Sequence, residues 1–225
     1  MKAGLIRDFV RRELPALCRR GVSGDAGYAL PAASLALLRE CIAQLGIRRV
    51  FEFGTGQSTR AFLAAGCEVA SVEDSAEWLS ETRRALDGLD GAPIEFFQLP
   101  LRLVWHRGAP MRSWRLPARA LAALRAADLV LVDSPALPPF REHALALALA
   151  QARGALIAVD DASIPTVARF CHRLAERNGA PFFRADLDHG LFFAGPAERA
   201  PLDDGRSFVE TLKAWRRYFH PRCGA

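Results

Sequence analysis

Short apolar runs alternate with longer stretches of helical spacing through the middle of the chain. Five runs stand out: 48–53 (RRVFEF), 67–72 (CEVASV), 93–98 (PIEFFQ), 127–132 (ADLVLV) and 154–159 (GALIAV). Each is bounded by Gly, Pro or Asp and reads as a strand buried on both faces. Segments 57–65, 76–87, 117–126 and 139–152 have helical spacing and lie between the strands, and 163–178 follows the fifth. Strand–helix alternation of this kind predicts an α/β, doubly wound parallel sheet with helices on both faces. Two further apolar runs, 181–185 and 190–194, are joined only by DLDH. A connection that short permits a hairpin and nothing else, so the last pair must be antiparallel. The expected sheet has about seven strands, five parallel and two in a C-terminal hairpin.

The ends read differently. LIRDFVRRELPALCRR has helical spacing, and LPAASLALLRECIAQLG starts at Pro31 and stops at Gly46 as helix punctuation requires. Residues 1–45 therefore read as an N-terminal helical cap, and 46–225 as the main domain, ending in the amphipathic FVETLKAWRRYF. That last helix could pack on its own sheet or on a second chain, making a homodimer. The segment 99–118, rich in Pro, Arg and Trp, reads as irregular, and Trp105 and Trp114 within it are expected to form a substrate wall or lid.

Composition removes several classes. No apolar run reaches the ~18 residues that cross a bilayer. The longest, ALALALAQARGALIAV, is interrupted by Gln151 and Arg153. The charged N-terminus lacks a signal-peptide core, so the expectation is a soluble cytoplasmic protein without membrane contact. Cys18, Cys41, Cys67, Cys171 and Cys223 are odd in number and widely spaced, matching no zinc or redox motif and reading as free thiols. The net charge is +5, with basic residues gathered at the two ends: Arg11, Arg12, Arg19 and Arg20, then Lys213, Arg216, Arg217 and Arg222. Such patches can meet nucleic acid or an acidic substrate, but no nucleic-acid motif accompanies them.

Candidate chemistry begins at VFEFGTGQST. Gly54 and Gly56 allow a sharp turn after the first strand, where ligands of open parallel sheets bind. Ser58 or Thr59 can cap the helix that follows. A dinucleotide loop places a third glycine where Thr59 stands, and Glu52 would repel a pyrophosphate. The acid suits a cation instead. S-adenosylmethionine carries an ammonium and a sulfonium and no phosphate. Glu73, at the end of VASVED about twenty residues on, can accept hydrogen bonds from both hydroxyls of a ribose. Asp74 beside it reads as a helix cap or a second cofactor contact.

Together, VFEFGTGQST, VASVED, ADLVLVDSP, GALIAVDD and the hairpin APFFRADLDHGLFFAG resemble the class I S-adenosylmethionine-dependent methyltransferases over roughly 45–195. The resemblance implies a Rossmann-like fold whose antiparallel last strand dinucleotide dehydrogenases lack. It implies a methionine site at Glu52, Gly54, Thr55, Gly56 and Ser58, a ribose site at Glu73 and an adenine site near Gln98 and Leu99. Asp133 would face the transferred methyl. Within the class, VDSP and VDD look most like small-molecule O-methyltransferases of the catechol type, which bind a divalent metal such as Mg²⁺. This implies Asp133, Asp160 and Asp161 as metal positions. The chain departs from that pattern at Ala136, where those enzymes have a lysine, and at Asp161, where they have an asparagine. Another base is then needed, and His143 and His106 are candidates.

The resulting expectation is methyl transfer to a small-molecule acceptor, at a hydroxyl. RNA or protein as acceptor, a non-catalytic binding protein and a nicotinamide oxidoreductase are the alternatives. No Asn-Pro-Pro-Tyr-like tetrad follows the fourth strand, where DSPA stands, and there is no Pro-Cys pair for cysteine-based cytosine methylation.

Overall fold

The computed structural model describes residues 2–19, 30–87, 93–187 and 189–196. Helices α1 (Lys2–Asp8) and α2 (Leu14–Arg19) are joined by a π-helical turn, Phe9–Glu13. Helix α3 (Ala32–Leu45) ends at Gly46, in the left-handed region at φ 58° with its N–H on Ile42 O. Then come β1 (Arg49–Phe53), α4 (Gln57–Ala64), β2 (Glu68–Glu73), α5 (Ala76–Ala85) and β3 (Ile94–Gln98). Strands β4 (Arg102–His106) and β5 (Ala109–Ser113) precede α6 (Ala118–Ala126), β6 (Leu129–Val132), α7 (Arg141–Gln151) and β7 (Leu156–Val159). Helix α8 (Pro165–Arg177), β8 (Phe182–Ala185) and β9 (Leu191–Ala194) complete the described residues.

The seven-stranded sheet runs β3-β2-β1-β6-β7-β9-β8, with β9 antiparallel to both β7 and β8. Seven strands, five of them parallel and the last two an antiparallel hairpin, are what the strand pattern predicts. The central strands are apolar throughout because both faces are covered. Val50, Leu129, Leu131, Leu156 and Ala158 face one apolar cluster, while Phe51, Phe53, Val130, Val132, Ile157 and Val159 face the other. Alternation with period two sends neighbours to opposite sides. Helices α6, α7 and α8 cover the second face. The first face is covered by α3, α4 and the N-terminal helices, whose Ile6, Phe9, Val10 and Leu14 join Ala185, Leu191 and Phe193. The described part of residues 1–45 shares its core with the sheet, and of it only Leu30 lines the cleft described below.

The segment 99–118 is not irregular. Strands β4 and β5 form a two-stranded ribbon whose turn, Arg107–Gly108, has both residues left-handed (φ 56° and 76°), as tight hairpins require. Pro110 hides the ribbon in the sequence. Proline is unwelcome within a sheet but tolerated where a strand has only one partner. Trp105 is 74% exposed, whereas Trp114 is buried, with its ring 5.5 Å from Phe53 and its Nε1 donating to Leu99 O at 3.1 Å. Neither ring lines the cleft, so the substrate wall expected of them is not there.

Among the described residues no helix is long and apolar enough to cross a membrane. Cys18, Cys41, Cys67 and Cys171 are free, as expected. Arg11 and Arg12 are exposed. The C-terminal helix, Cys223 and the basic residues Arg20, Lys213, Arg216, Arg217 and Arg222 lie outside the described residues.

Candidate functional site

The sheet order reverses between β1 and β6, and the turns that leave these two strands pack against each other. Gly54 adopts φ 103°, and a Cβ on it would stand 2.8 Å from Ser134 Cβ. Its N–H donates to Val72 O at 2.9 Å, while Asp133 N donates to Phe53 O at 3.1 Å. Only glycine satisfies both the dihedral and the approach. The result is a cleft of about 670 Å³ over the carboxyl ends of β1, β2, β6 and β7, within the usual size for a small-molecule site.

Glu52 lies beneath this turn, not in the cleft. It is fully buried, and its Oε2 accepts from the Thr59 hydroxyl at 2.7 Å. The same hydroxyl accepts the Gly56 N–H at 3.0 Å. Thr59, the residue that spoils a dinucleotide fingerprint, thus ties the buried acid to the glycine turn. Burial pushes the Glu52 carboxyl up to about 7, against the lowering effect of hydrogen bonds from Ser58, Thr59 and Ser71. Gly54, Thr55, Gly56 and Ser58 all line the cleft.

Glu73 ends β2 and is almost buried. Its Oε2 accepts from Thr55 N at 3.1 Å, and its Oε1 accepts from Asp74 N and Ser75 N at 2.9 Å each. The Thr55 hydroxyl also donates to Oε2, at 3.3 Å, so each of the four lone-pair directions of the carboxylate has a donor, and a ligand hydroxyl would bind here by replacing this longest contact. Asp74 also lines the cleft, and its pKa is raised by burial and by Glu73. Ser75, not Asp74, caps α5 by accepting from Trp78 N at 3.1 Å. The Trp78 ring walls the cleft, held by Nε1 on Thr55 O at 2.5 Å. Gln98 and Leu99 do not line the cleft, but Gln98 is the register partner of Glu73, and Leu99 N donates to Glu73 O at 2.9 Å.

Asp133, Asp160 and Asp161 meet at the ends of β6 and β7, all lining the cleft. Asp161 is left-handed at φ 61°. Arg141 stands among these acids. Its Nη1 is 2.8 Å from Asp161 Oδ2 and its Nη2 3.4 Å from Asp133 Oδ1, and its Nε donates to Pro135 O at 3.3 Å. His189 Nδ1 lies 3.8 Å from Asp161 Oδ1. Burial raises the pKa of Asp133 well above the carboxylate range; Arg141 opposes this, and Asp160 and Asp161 add to it. Asp160 is raised too, by burial and by Asp161. The oxygen donors suit a hard divalent cation, but the place such an ion would take between Asp133 and Asp161 is held by the Arg141 guanidinium. The set therefore does not fit the metal site that the sequence suggests.

His143 is not in the cleft. It points from α7 to the β4–β5 ribbon, where its Nδ1 shares a 2.8 Å hydrogen bond with Ser113 Oγ and its ring packs edge-on against His106. Burial lowers its pKa to about 4. Neither histidine reaches the acids, so neither serves as base there. The residues missed from the sequence are Arg141, His189 and Trp78. Arg141 did carry a signal: a cation in the first turn of a helix opposes the helix dipole and calls for nearby acids.

No protein-family model matches the chain, and no curated protein matches it in sequence. Solved structures do match. An SAH-bound methyltransferase of Podospora anserina aligns at TM-score 0.57 and 13% identity, over 84% of this chain and 95% of that one. A putative caffeoyl-CoA O-methyltransferase from Staphylococcus aureus aligns at 0.54 and 13%, over 87% and 99%. A methyltransferase from Geobacter sulfurreducens aligns at 0.53 and 15%, over 83% and 88%. The chain has the methyltransferase fold. At such identities the likeness is one of backbone, and it extends over nearly the whole length of each structure.

Proposed function

We propose that the chain is an S-adenosylmethionine-dependent methyltransferase acting on a hydroxyl of a small-molecule acceptor. The observation that carries this reading is Glu73, held by three backbone N–H groups at the cleft wall, beside a turn that only Gly54 permits. A preset carboxylate of this kind suits a ribose diol, and the acidic lining suits a cationic ligand rather than a phosphate.

S-adenosylmethionine supplies an electrophilic methyl on a sulfonium. Thr55, Gly56 and Ser58 would hold its methionine end, Glu73 its ribose, and Trp78 a flat face of the bound ligand. The adenine would lie toward the end of β3, where Gln98 neighbours Glu73. The acceptor oxygen would approach from Asp133. The methyl would pass from sulfur to the acceptor oxygen, leaving a neutral thioether, and Asp133 would take the hydroxyl proton. Burial makes the ionised Asp133 carboxylate a stronger base than a fully exposed one, which favours this role. Most of the acceleration would come from alignment of acceptor and methyl.

Binding of S-adenosylhomocysteine to the wild type and to Glu73→Ala tests the assignment. The variant is expected to bind at least about tenfold more weakly, the loss of one charged hydrogen-bonding partner. Equal affinity would overturn the ribose role.

A further inference from the structure

We infer that Arg141 is the resident cation of the Asp133–Asp160–Asp161 cluster and that the cleft works without a divalent metal. The inference adds to the methyltransferase reading, which places the acceptor beside these acids, but its geometry stands on the cluster itself.

The Arg141 side chain is 5% exposed and held on three sides: by Asp161, by Asp133 and by the Pro135 carbonyl. It opens α7, so its charge lies where the helix dipole is positive. An arginine in such a place is stable because the acids surround it. A divalent ion coordinates carboxylate oxygens at about 2.0–2.6 Å. Bound to the Asp133 and Asp161 oxygens that face Arg141, it would lie within about 6 Å of two guanidinium nitrogens, close enough for strong repulsion in a partly buried cleft wall. Arg141 also compensates for Ala136. The cationic side chain absent from that position is brought from eight residues further along the chain after Asp133. A guanidinium cannot give up its charge in a protein, so the cluster keeps one fixed positive charge whatever the metal supply.

The rest of the cluster shows what the arginine holds off. Asp160, Asp161 and His189 offer ligand atoms within 4.8 Å of one another. Asp160 Oδ1 is buried with no hydrogen-bond partner among the described residues. Without Arg141, three carboxylates and an imidazole would form a donor set suited to Mn²⁺. The residue should therefore act as a barrier to metal as well as a charge.

The test is titration with Mn²⁺, read by loss of the paramagnetic resonance signal of the free ion, on wild type, Asp160→Asn, Arg141→Met, Arg141→Lys and Arg141→Met/Asp160→Asn. S-adenosylhomocysteine affinity is measured on the same samples with and without chelator. Wild type and Arg141→Lys are expected to bind no stoichiometric Mn²⁺ at millimolar concentration, and chelator should leave wild-type cofactor affinity unchanged. Arg141→Met should gain one Mn²⁺, at least about 100-fold tighter than wild type, which the double variant loses. One tightly bound Mn²⁺ in wild type, released by Asp160→Asn, would overturn the inference. Should Arg141→Met fail to fold, the wild-type and Arg141→Lys titrations decide alone. Cofactor binding together with Mn²⁺ binding in wild type sinks only this inference; absence of both sinks only the methyltransferase reading.

Discussion

The Thr59 hydroxyl donates to Glu52 Oε2 over 2.7 Å, joining a fully buried carboxyl to the glycine turn that walls the cleft. That carboxyl has a pKa raised from 4.5 to about 7 by burial. A raised pKa means that the folded protein favours the protonated acid. Its contribution to stability is complete below about pH 4.5 and is lost as pH rises through about 7. The span corresponds to about 3 kcal/mol. Urea unfolding of wild type and Glu52→Gln at acidic and at mildly alkaline pH measures it. The glutamine variant is expected to gain on wild type by about that amount as pH rises. A constant difference would show that Glu52 has the same pKa in the folded and the unfolded protein.

Gly54 and Gly56 are alike in sequence and unlike in space. A Cβ on Gly54 would meet Ser134 Cβ at 2.8 Å on a backbone at φ 103°, whereas one on Gly56 meets nothing nearer than Trp78 at 3.8 Å. Gly54→Ala should cost about 2 kcal/mol or more, and Gly56→Ala clearly less. Thermal unfolding of the two variants checks the order. Equal losses would mean that the packing between the turns after β1 and β6 is not what demands glycine.

Glu142 anchors the β4–β5 ribbon. It is buried, and it receives Arg107 Nη1 at 3.0 Å and Arg173 Nη2 at 2.7 Å. Removing it leaves two arginines without this partner, a change that typically costs about 3 kcal/mol or more. Glu142→Ala should therefore lower the melting temperature and speed tryptic cleavage after Arg107. Binding in the cleft should persist, because the ribbon does not line it. Loss of S-adenosylhomocysteine affinity at temperatures where the variant is still folded would contradict that separation.

Much of the fold was legible because its strands are buried on both faces and its helices are punctuated. The DLDH connection between two apolar runs decided the direction of β9. Gly54, Glu73, Asp133, Asp160 and Asp161 were legible because each follows the carboxyl end of a strand, or ends one, where this topology gathers its chemistry. Arg141 and His189 were not, since neither stands at a motif position: one enters the cluster from a helix start and the other from a hairpin. His143 misled because a histidine ten residues past a candidate acid points wherever its helix face points. Here that face turns to Ser113 and the ribbon. Trp114 misled because an aromatic residue in a Pro- and Arg-rich segment looks exposed until the segment is seen to fold back on Phe53.

The claim at the centre of this account is that the cleft receives an adenosine ligand carrying an amino acid rather than a pyrophosphate. Isothermal calorimetry of the wild type with S-adenosylhomocysteine, and in parallel with NAD, tests it most directly. One equivalent of S-adenosylhomocysteine bound, with no heat from NAD, is the predicted result. Binding of NAD, or of neither ligand, would contradict it.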